Sequence, residues 1–282
     1  MNTVFHLPGK DAYYRGTRFD YSGIFSSLEF LGTEMAGQWF ERYDPFVHDA
    51  VKGPVEEYTP VGYDECAPGE GFLKIGVGVL RRPDSAPYDR FRPYEIIDPG
   101  TWEIESSPGS VTFRHTMDHP PWHYVYTKIC SFGEDRLSIS HSLQNLDAPL
   151  AGEVYNHNFF TFGRLETTPD REIDFAFRPA GTWRAAYDSV GLTGSGIRFK
   201  RALAGGESVY MGDLHSADSA VTPYDIRLRE RSNGREVHIL GDAVISRIVF
   251  WSNHRIACVE PYTPFSIKNG ETFRLAIKYI FS

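Results

Sequence analysis

Cysteine is scarce in this sequence, and its spacing excludes two kinds of site. Cys66, Cys130 and Cys258 are far apart, without CxxC or Cys/His spacing, so neither a zinc site nor a disulfide framework is expected. No apolar run is long enough to span a bilayer. The first residues also lack the basic and apolar segments of a secretion signal. We therefore expect no metal, no cofactor, no membrane partner and a cytoplasmic location.

Positive charge is also in short supply. The chain has 29 Lys and Arg against 37 Asp and Glu, a formal net charge of -8, and its basic residues are scattered. This balance disfavours a nucleic-acid partner. Long stretches of apolar residues at helical spacing are missing as well, which argues against helices. The sequence leaves the oligomeric state open.

Aromatic residues and turn formers are abundant. The 16 Tyr, 20 Phe and 5 Trp are spread along the whole length, together with 26 Gly and 18 Pro. This mixture is typical of many short strands joined by turns. Alternating apolar residues between Val111 and His141 predict an antiparallel meander, and Asn233-Gly234 predicts a tight hairpin. Because no internal repeat or linker is visible, residues 1–282 are predicted to form a single all-β domain.

Three segments give more specific structural expectations. Residues 36–70 are rich in turn formers and are expected to run over the surface as a long loop. Residues 72–80 are expected to form one strand with glycines at a bulge or close approach. Residues 256–262 are expected to form a strand that ends at Glu260, because Pro261 lacks the N–H that a strand ladder needs.

Residues 155–160, with the sequence Tyr-Asn-His-Asn-Phe-Phe, are the most unusual stretch. Strands favour aromatic residues but not asparagine, so the polar centre of this hexamer needs an explanation. One interpretation is a site floor in which amides hold the acid/base His157 between aromatic walls. The other is a strand end whose asparagines start a turn.

Glu260 is the second singular residue, because it is the carboxylate at the end of an apolar run. A carboxylate beside an apolar wall binds protons more readily than in water, which suits a general base. The ordinary alternative is a solvated glutamate at a strand end.

Several segments together resemble the aldose 1-epimerase (galactose mutarotase-like) family. Residues 156–160 are similar to its Asn-His-x-Tyr-Phe motif, and residues 256–261 are similar to its C-terminal glutamate segment. Further similarity lies in residues 143–149, 210–213 and 270–272, so the resemblance covers nearly the whole chain. It implies a β-supersandwich of large antiparallel sheets that binds a carbohydrate and works without a cofactor.

The resemblance also implies roles for individual residues. Glu260 would take the proton of the anomeric hydroxyl and His157 would protonate the ring oxygen, from opposite sides of one pyranose-sized hollow. The ring would open, the C1–C2 bond would rotate, and the ring would close on the other face. The other implied contacts are Asn156, which would orient His157, Asp213, which would hold sugar hydroxyls, and Trp251 and Phe160, which would stack on the sugar unless they belong to the core.

The first half of the chain departs from the family pattern. The family's Arg and second His are missing from the corresponding residues 53–57 and 74–78, where Lys74 and Glu57 are the candidate substitutes. The ligand would then be an acidic, modified or oligomeric sugar, with Lys74, Arg15 or Arg18 meeting a negative group. Two other functions remain open: a glycan-binding module without catalysis, and a carbohydrate lyase that uses Lys74 as the neutralising cation.

Overall fold

A computed structural model describes residues 1–9 and 12–282, and within those ranges the chain forms strands and no helix. Accordingly, no helix in the described ranges has the length and hydropathy of a membrane span. The strands are β1 (Asn2–His6), β2 (Ile24–Phe30), β3 (Thr33–Glu34), β4 (Val55–Tyr58), β5 (Gly71–Lys74), β6 (Gly78–Arg81), β7 (Ile96–Asp98), β8 (Thr101–Ser107), β9 (Ser110–His119), β10 (Trp122–Phe132), β11 (Arg136–Asn145), β12 (Leu150–His157), β13 (Phe159–Phe160), β14 (Arg171–Phe175), β15 (Pro179–Ala180), β16 (Val190–Leu192), β17 (Gly196–Phe199), β18 (Ser208–Ser216), β19 (Asp225–Glu230), β20 (Arg235–Gly241), β21 (Arg247–Asn253), β22 (Ala257–Ile267) and β23 (Thr272–Phe281).

Two large antiparallel sheets form the body of the molecule. The ten-stranded sheet has the order β16-β17-β14-β19-β20-β23-β11-β10-β9-β8. The seven-stranded sheet has the order β15-β18-β21-β22-β12-β4, with β13 paired to β22. Two smaller sheets, β1-β2-β3 and β5-β6-β7, complete the architecture. The predicted all-β fold of large antiparallel sheets is confirmed.

The main hydrophobic core takes side chains from both large sheets. Because successive side chains in a strand point to opposite faces, each strand of the seven-stranded sheet has an inner face towards this core and an outer face away from it. On β22, for example, Val259 belongs to the main core, whereas Cys258 belongs to a separate outer cluster. The predicted meander β9–β11 and the predicted hairpin β19–β20 are both present.

Two of the structural expectations from the first half of the chain are wrong. Residues 36–70 contain β4, a fully buried strand at the end of the seven-stranded sheet, where it pairs with β12. The sequence does not predict this strand because it contains Glu56 and Glu57, and two adjacent carboxylates are seldom buried. Residues 72–80 form a hairpin of β5 and β6 rather than one strand. Gly76 has φ +76° between them, a conformation that glycine adopts without the penalty of a side chain.

The expected strand end at Glu260 is also wrong, since β22 continues through Pro261 to Ile267. Along β22, Cys258 is the last residue that pairs with β13, and Tyr262 is the first that pairs with β12. Pro261 therefore lies between the part of β22 that pairs with β13 and the part that pairs with β12. No strand is paired with it on that side, so the missing N–H of proline costs no hydrogen bond of the ladder. Glu260 consequently sits in the middle of a strand.

Candidate active site

The site is built on the outer face of the seven-stranded sheet, where β12 and β22 separate. His157 and Glu260 lie on this face, and Nδ1 of His157 is 2.6 Å from Oε1 of Glu260. Both side chains are nearly inaccessible to solvent. The two predicted catalytic groups therefore meet, but they touch each other directly. No pyranose-sized gap separates them.

The protonation of this pair follows from its burial and its contact. Burial lowers the pKa of His157 and outweighs the opposing effect of Glu260. Burial alone would raise the pKa of Glu260, but the neighbouring imidazole lowers it. A neutral imidazole beside a carboxylate must carry its proton on Nδ1, since the carboxylate only accepts hydrogen bonds. Nε2 of His157 then presents a lone pair, and this buried atom has no hydrogen-bond partner among the described residues.

Cys258 completes a group that has the atoms of a metal site. Its Sγ lies 3.2 Å from Oε1 of Glu260 and 3.9 Å from Nδ1 of His157. Within the described part of the chain, each of these three residues offers one atom that could bind a metal ion, and these atoms all lie within 4.8 Å of one another. The 2.6 Å contact between Nδ1 and Oε1 is a hydrogen-bond distance. Burial raises the pKa of the Cys258 thiol well above its ordinary value. The arrangement is therefore that of a hydrogen-bonded pair with a neutral thiol beside it.

A second charged group lies next to the pair and is centred on Glu57 of β4. Arg18 Nε lies 2.6 Å from Oε2 of Glu57, Lys74 Nζ lies 3.4 Å from Oε1, and Arg90 Nε lies 3.9 Å from Oε1. The hydroxyl of Tyr155 also donates to Glu57. Burial would raise the pKa of Glu57, but the three cations lower it to about 2. Glu57 is therefore a carboxylate at all ordinary pH values.

Aromatic side chains connect the His157–Glu260 pair to a large cavity. The ring centroid of Phe159 is 3.6 Å from that of His157 and 5.5 Å from that of Trp251. The ring centroids of Trp251 and Trp39 are 5.3 Å apart. Trp39 and Trp251 line a cavity of ≈ 1520 Å³. Tryptophans beside an open cavity can stack on the C–H face of a sugar, and the stacking contact of Trp251 stays a prediction.

Two predicted site residues point away from the outer face, as the alternation along β12 and β13 requires. Asn156 donates to Glu56 and accepts a hydrogen bond from Tyr224, both inside the molecule. It does not orient His157 by direct contact, so that expectation is wrong. Phe160 is fully buried and packs on Tyr279. It belongs to the core and is not a stacking surface for a ligand.

Two other predicted residues are in different surroundings from those expected. Asp213 is exposed on β18, at an irregularity of the pairing with β21, and accepts the backbone N–H of Thr182. Two strands separate β18 from β12. Lys74 is 0% exposed and donates to the carbonyl of Tyr58 as well as to Glu57. Lys74 is therefore a buried counter-ion of Glu57, and contact of Arg18 with a ligand stays a prediction.

Sequence reasoning missed Tyr155, Tyr262, Cys258 and Arg90 as site residues. The first three could have been found, because they are two residues from His157 or Glu260 and therefore share a face with them. Arg90 comes from the loop between β6 and β7 and approaches the hydroxyls of Tyr155 and Tyr262 at 3.5 and 3.4 Å. No periodic pattern surrounds it, so no signal in the sequence marked it.

Comparisons with known proteins place this fold. No protein-family model and no curated protein matches the sequence. A solved structure of a proposed aldose 1-epimerase from Escherichia coli K12 matches with a TM-score of 0.57 and 11% identity, over 100% of this chain and 99% of that one.

Two further solved structures give the same result. A galactose mutarotase related enzyme from Lactobacillus acidophilus has a TM-score of 0.55 and 11% identity over 100% and 97% of the two chains. A galactose mutarotase-like protein from Clostridium acetobutylicum has a TM-score of 0.52 and 13% identity over 92% and 89%. At such identities the likeness establishes the fold alone: the chain has a galactose mutarotase-like fold, as the resemblance implied.

Proposed function

We propose that this protein is an aldose 1-epimerase-like isomerase that interconverts the anomers of a sugar, with His157 and Glu260 as its catalytic pair. The observation that carries the proposal is the 2.6 Å contact between these two groups on the outer face of a mutarotase-like sheet. Burial and the contact together fix which nitrogen of His157 holds the proton. Such an oriented imidazole is a general base.

The direct contact changes the roles that the resemblance implied. Nε2 of His157 takes the proton of the anomeric hydroxyl, and Glu260 stabilises the imidazolium that forms. The C1–O5 bond breaks, its electron pair goes to O5, and Nε2 returns the proton to O5. Both oxygens are bonded to C1, so one nitrogen can serve both. The reverse steps after rotation about C1–C2 close the ring on the other face.

The first experiment measures anomer exchange by polarimetry and NMR over a panel of free sugars. We expect acceleration with the natural protein, and a loss of about 10²–10⁴-fold with His157→Asn. His238→Asn is the matched control, because His238 also contacts a carboxylate, Asp225, at 2.7 Å but lies in the other large sheet.

The proposal fails if the natural protein gives only the uncatalysed rate on every sugar that it binds. Binding without exchange would favour the glycan-binding module. An unsaturated product with new ultraviolet absorbance would favour the lyase.

A further inference from the structure

Three cations converge on one carboxylate in the outer-face site. Arg18, Lys74 and Arg90 all contact Glu57. Glu260 adds a negative charge beside a neutral imidazole, and Asp49 and Asp89 carry negative charge near His48 and Arg18. A single carboxylate cannot saturate the N–H donors of three cations.

The hydrogen bonds of the two arginines show which of them has capacity for a ligand. Arg18 is 5% exposed, and it uses Nε on Glu57 and Nη2 on Tyr155, at 2.6 and 2.8 Å. Its Nη1 is buried and has no hydrogen-bond partner among the described residues. Unpaired buried donors of this kind are rare, and each calls for an explanation.

Arg90 is held more loosely than Arg18. Its side chain is 34% exposed, and its contacts with Glu57, Tyr155 and Tyr262 are all between 3.4 and 3.9 Å. A shorter contact to an incoming anion would therefore replace weak contacts. Lys74, by contrast, is sealed from solvent and donates to Glu57 and to the carbonyl of Tyr58.

We propose that the substrate is a sugar with an anionic group, a phosphate or a carboxylate, and that Arg18 and Arg90 bind that group. The inference rests on the proposed function, since it names the substrate class of the same site. Guanidinium groups suit this role because they offer several N–H donors in one plane. Glu57 holds both arginines in position and leaves N–H donors of Arg18 and Arg90 for the ligand.

Access to Arg18 and to Nε2 of His157 requires movement of the residues that cover them. Phe91 is 50% exposed, its ring centroid lies 5.3 Å from the guanidinium of Arg18, and its ring makes a tilted contact with that of His48. Phe91 and Arg90 are neighbours in the loop between β6 and β7. When a ligand displaces this loop, its anionic group takes the place of Phe91 beside Arg18. Arg90 moves with the loop.

The test is calorimetric binding of matched sugars, with no turnover required. The probes are glucose, glucose 6-phosphate and glucuronate, together with their galactose counterparts. We expect at least one anionic sugar to bind at least about tenfold tighter than its neutral parent, as charge-assisted hydrogen bonds provide. The advantage should shrink as the salt concentration rises. The phosphate and carboxylate arms show which anion is preferred.

Three variants locate the effect. Arg90→Gln and Arg18→Lys should bring the anionic-to-neutral affinity ratio towards one. Arg92→Gln should leave it unchanged, because Arg92 is in the same loop but pairs with exposed Asp84 at 2.7 Å. If Arg18→Lys fails to fold, Arg90→Gln alone carries the test, since Arg90 is partly exposed.

Equal affinities for neutral and anionic sugars, no binding of any probe, or a ratio that Arg90→Gln does not change would each overturn the inference. Failure of the proposed function looks different. Anomer exchange of neutral sugars without an anionic preference leaves the function standing and ends the inference. An anionic preference that depends on Arg90, without anomer exchange, does the reverse.

Discussion

Glu56 and Glu57 are consecutive residues of β4, yet they face opposite sides of the sheet and have different surroundings. Glu56 points inward, where Lys128 donates to it and Nε2 of His141 lies 3.2 Å away. All three side chains are sealed inside the molecule. Glu57 points outward to cations that include the partly exposed Arg90. The inner carboxylate holds the sheets together, whereas the outer one positions groups that can meet a ligand.

Nearby cations offset the effect of burial on the pKa of both carboxylates. Burial would raise the pKa of Glu56, but Lys128 and His141 lower it to about 2, the same value as that of Glu57. The pKa values of the two lysines differ more than those of the two carboxylates. Glu56 and Asp20 raise the pKa of Lys128 against burial, whereas burial lowers the pKa of Lys74 to about 8. Lys74 shares its carboxylate with two arginines, and their positive charge adds to the effect of burial.

The largest expected effect breaks the inner group. Lys128→Met leaves Glu56 and Asp20 buried without their cation, and we expect a loss of about 3–5 kcal/mol in the free energy of unfolding. Urea unfolding measures it, and Lys278→Met on an exposed position of β23 is the control. A change below about 1 kcal/mol would show that the inner face does not depend on this charge.

The second prediction uses the pKa of Lys74. Its folded value of about 8 is below the ordinary 10.5, so between these pH values the unfolded chain binds more protons than the native one. The free energy of unfolding therefore gains up to about 3 kcal/mol from this group as the pH rises from 8 to 10.5. Lys74→Met should remove that gain, which unfolding curves at several pH values would reveal. An identical pH dependence in both proteins would contradict it.

The third prediction tests the proposed role of His157 on the outer face. If Nε2 of His157 is the base, kcat/KM rises about tenfold per pH unit up to the pKa of His157 and is level above it. Burial places that pKa below 6.5. The roles implied by family resemblance need an imidazolium, and activity would then fall as the pH rises through the same value. Initial rates between pH 4.5 and 8, corrected for the uncatalysed reaction, distinguish the two.

The smallest effect concerns the hydrogen bond from Tyr224 to Asn156, which is 2.9 Å long and wholly inside. Tyr224→Phe should cost about 1 kcal/mol of stability and leave the pH profile of activity unchanged. A shifted profile would mean that Asn156 acts on His157 through the backbone after all.

The sequence singled out His157 and Glu260, the proposed catalytic pair, and predicted most of the strands. His157 and Glu260 were conspicuous because each is polar within an apolar or aromatic run. The expectation for Asn156 is wrong because it assigns the whole hexamer to one face, whereas alternation puts Asn156 on the other. The sequence does not predict the burial of Glu56 and Glu57, because their partners, Lys128 and Arg18, are remote along the chain. Only the folded sheets bring such partners together.

The interruption between β12 and β13 has a mechanical consequence. Pro261 gives this edge no amide, and the side chain of Asn158 bridges it instead by donating to the carbonyl of Val259 at 2.9 Å. His157 is therefore the last residue of one strand, next to a joint spanned by a side-chain link. On the other side of β12, His157 pairs with Val55 of β4, so the backbone beside the imidazole is held by a ladder on one side and by a single side-chain hydrogen bond on the other.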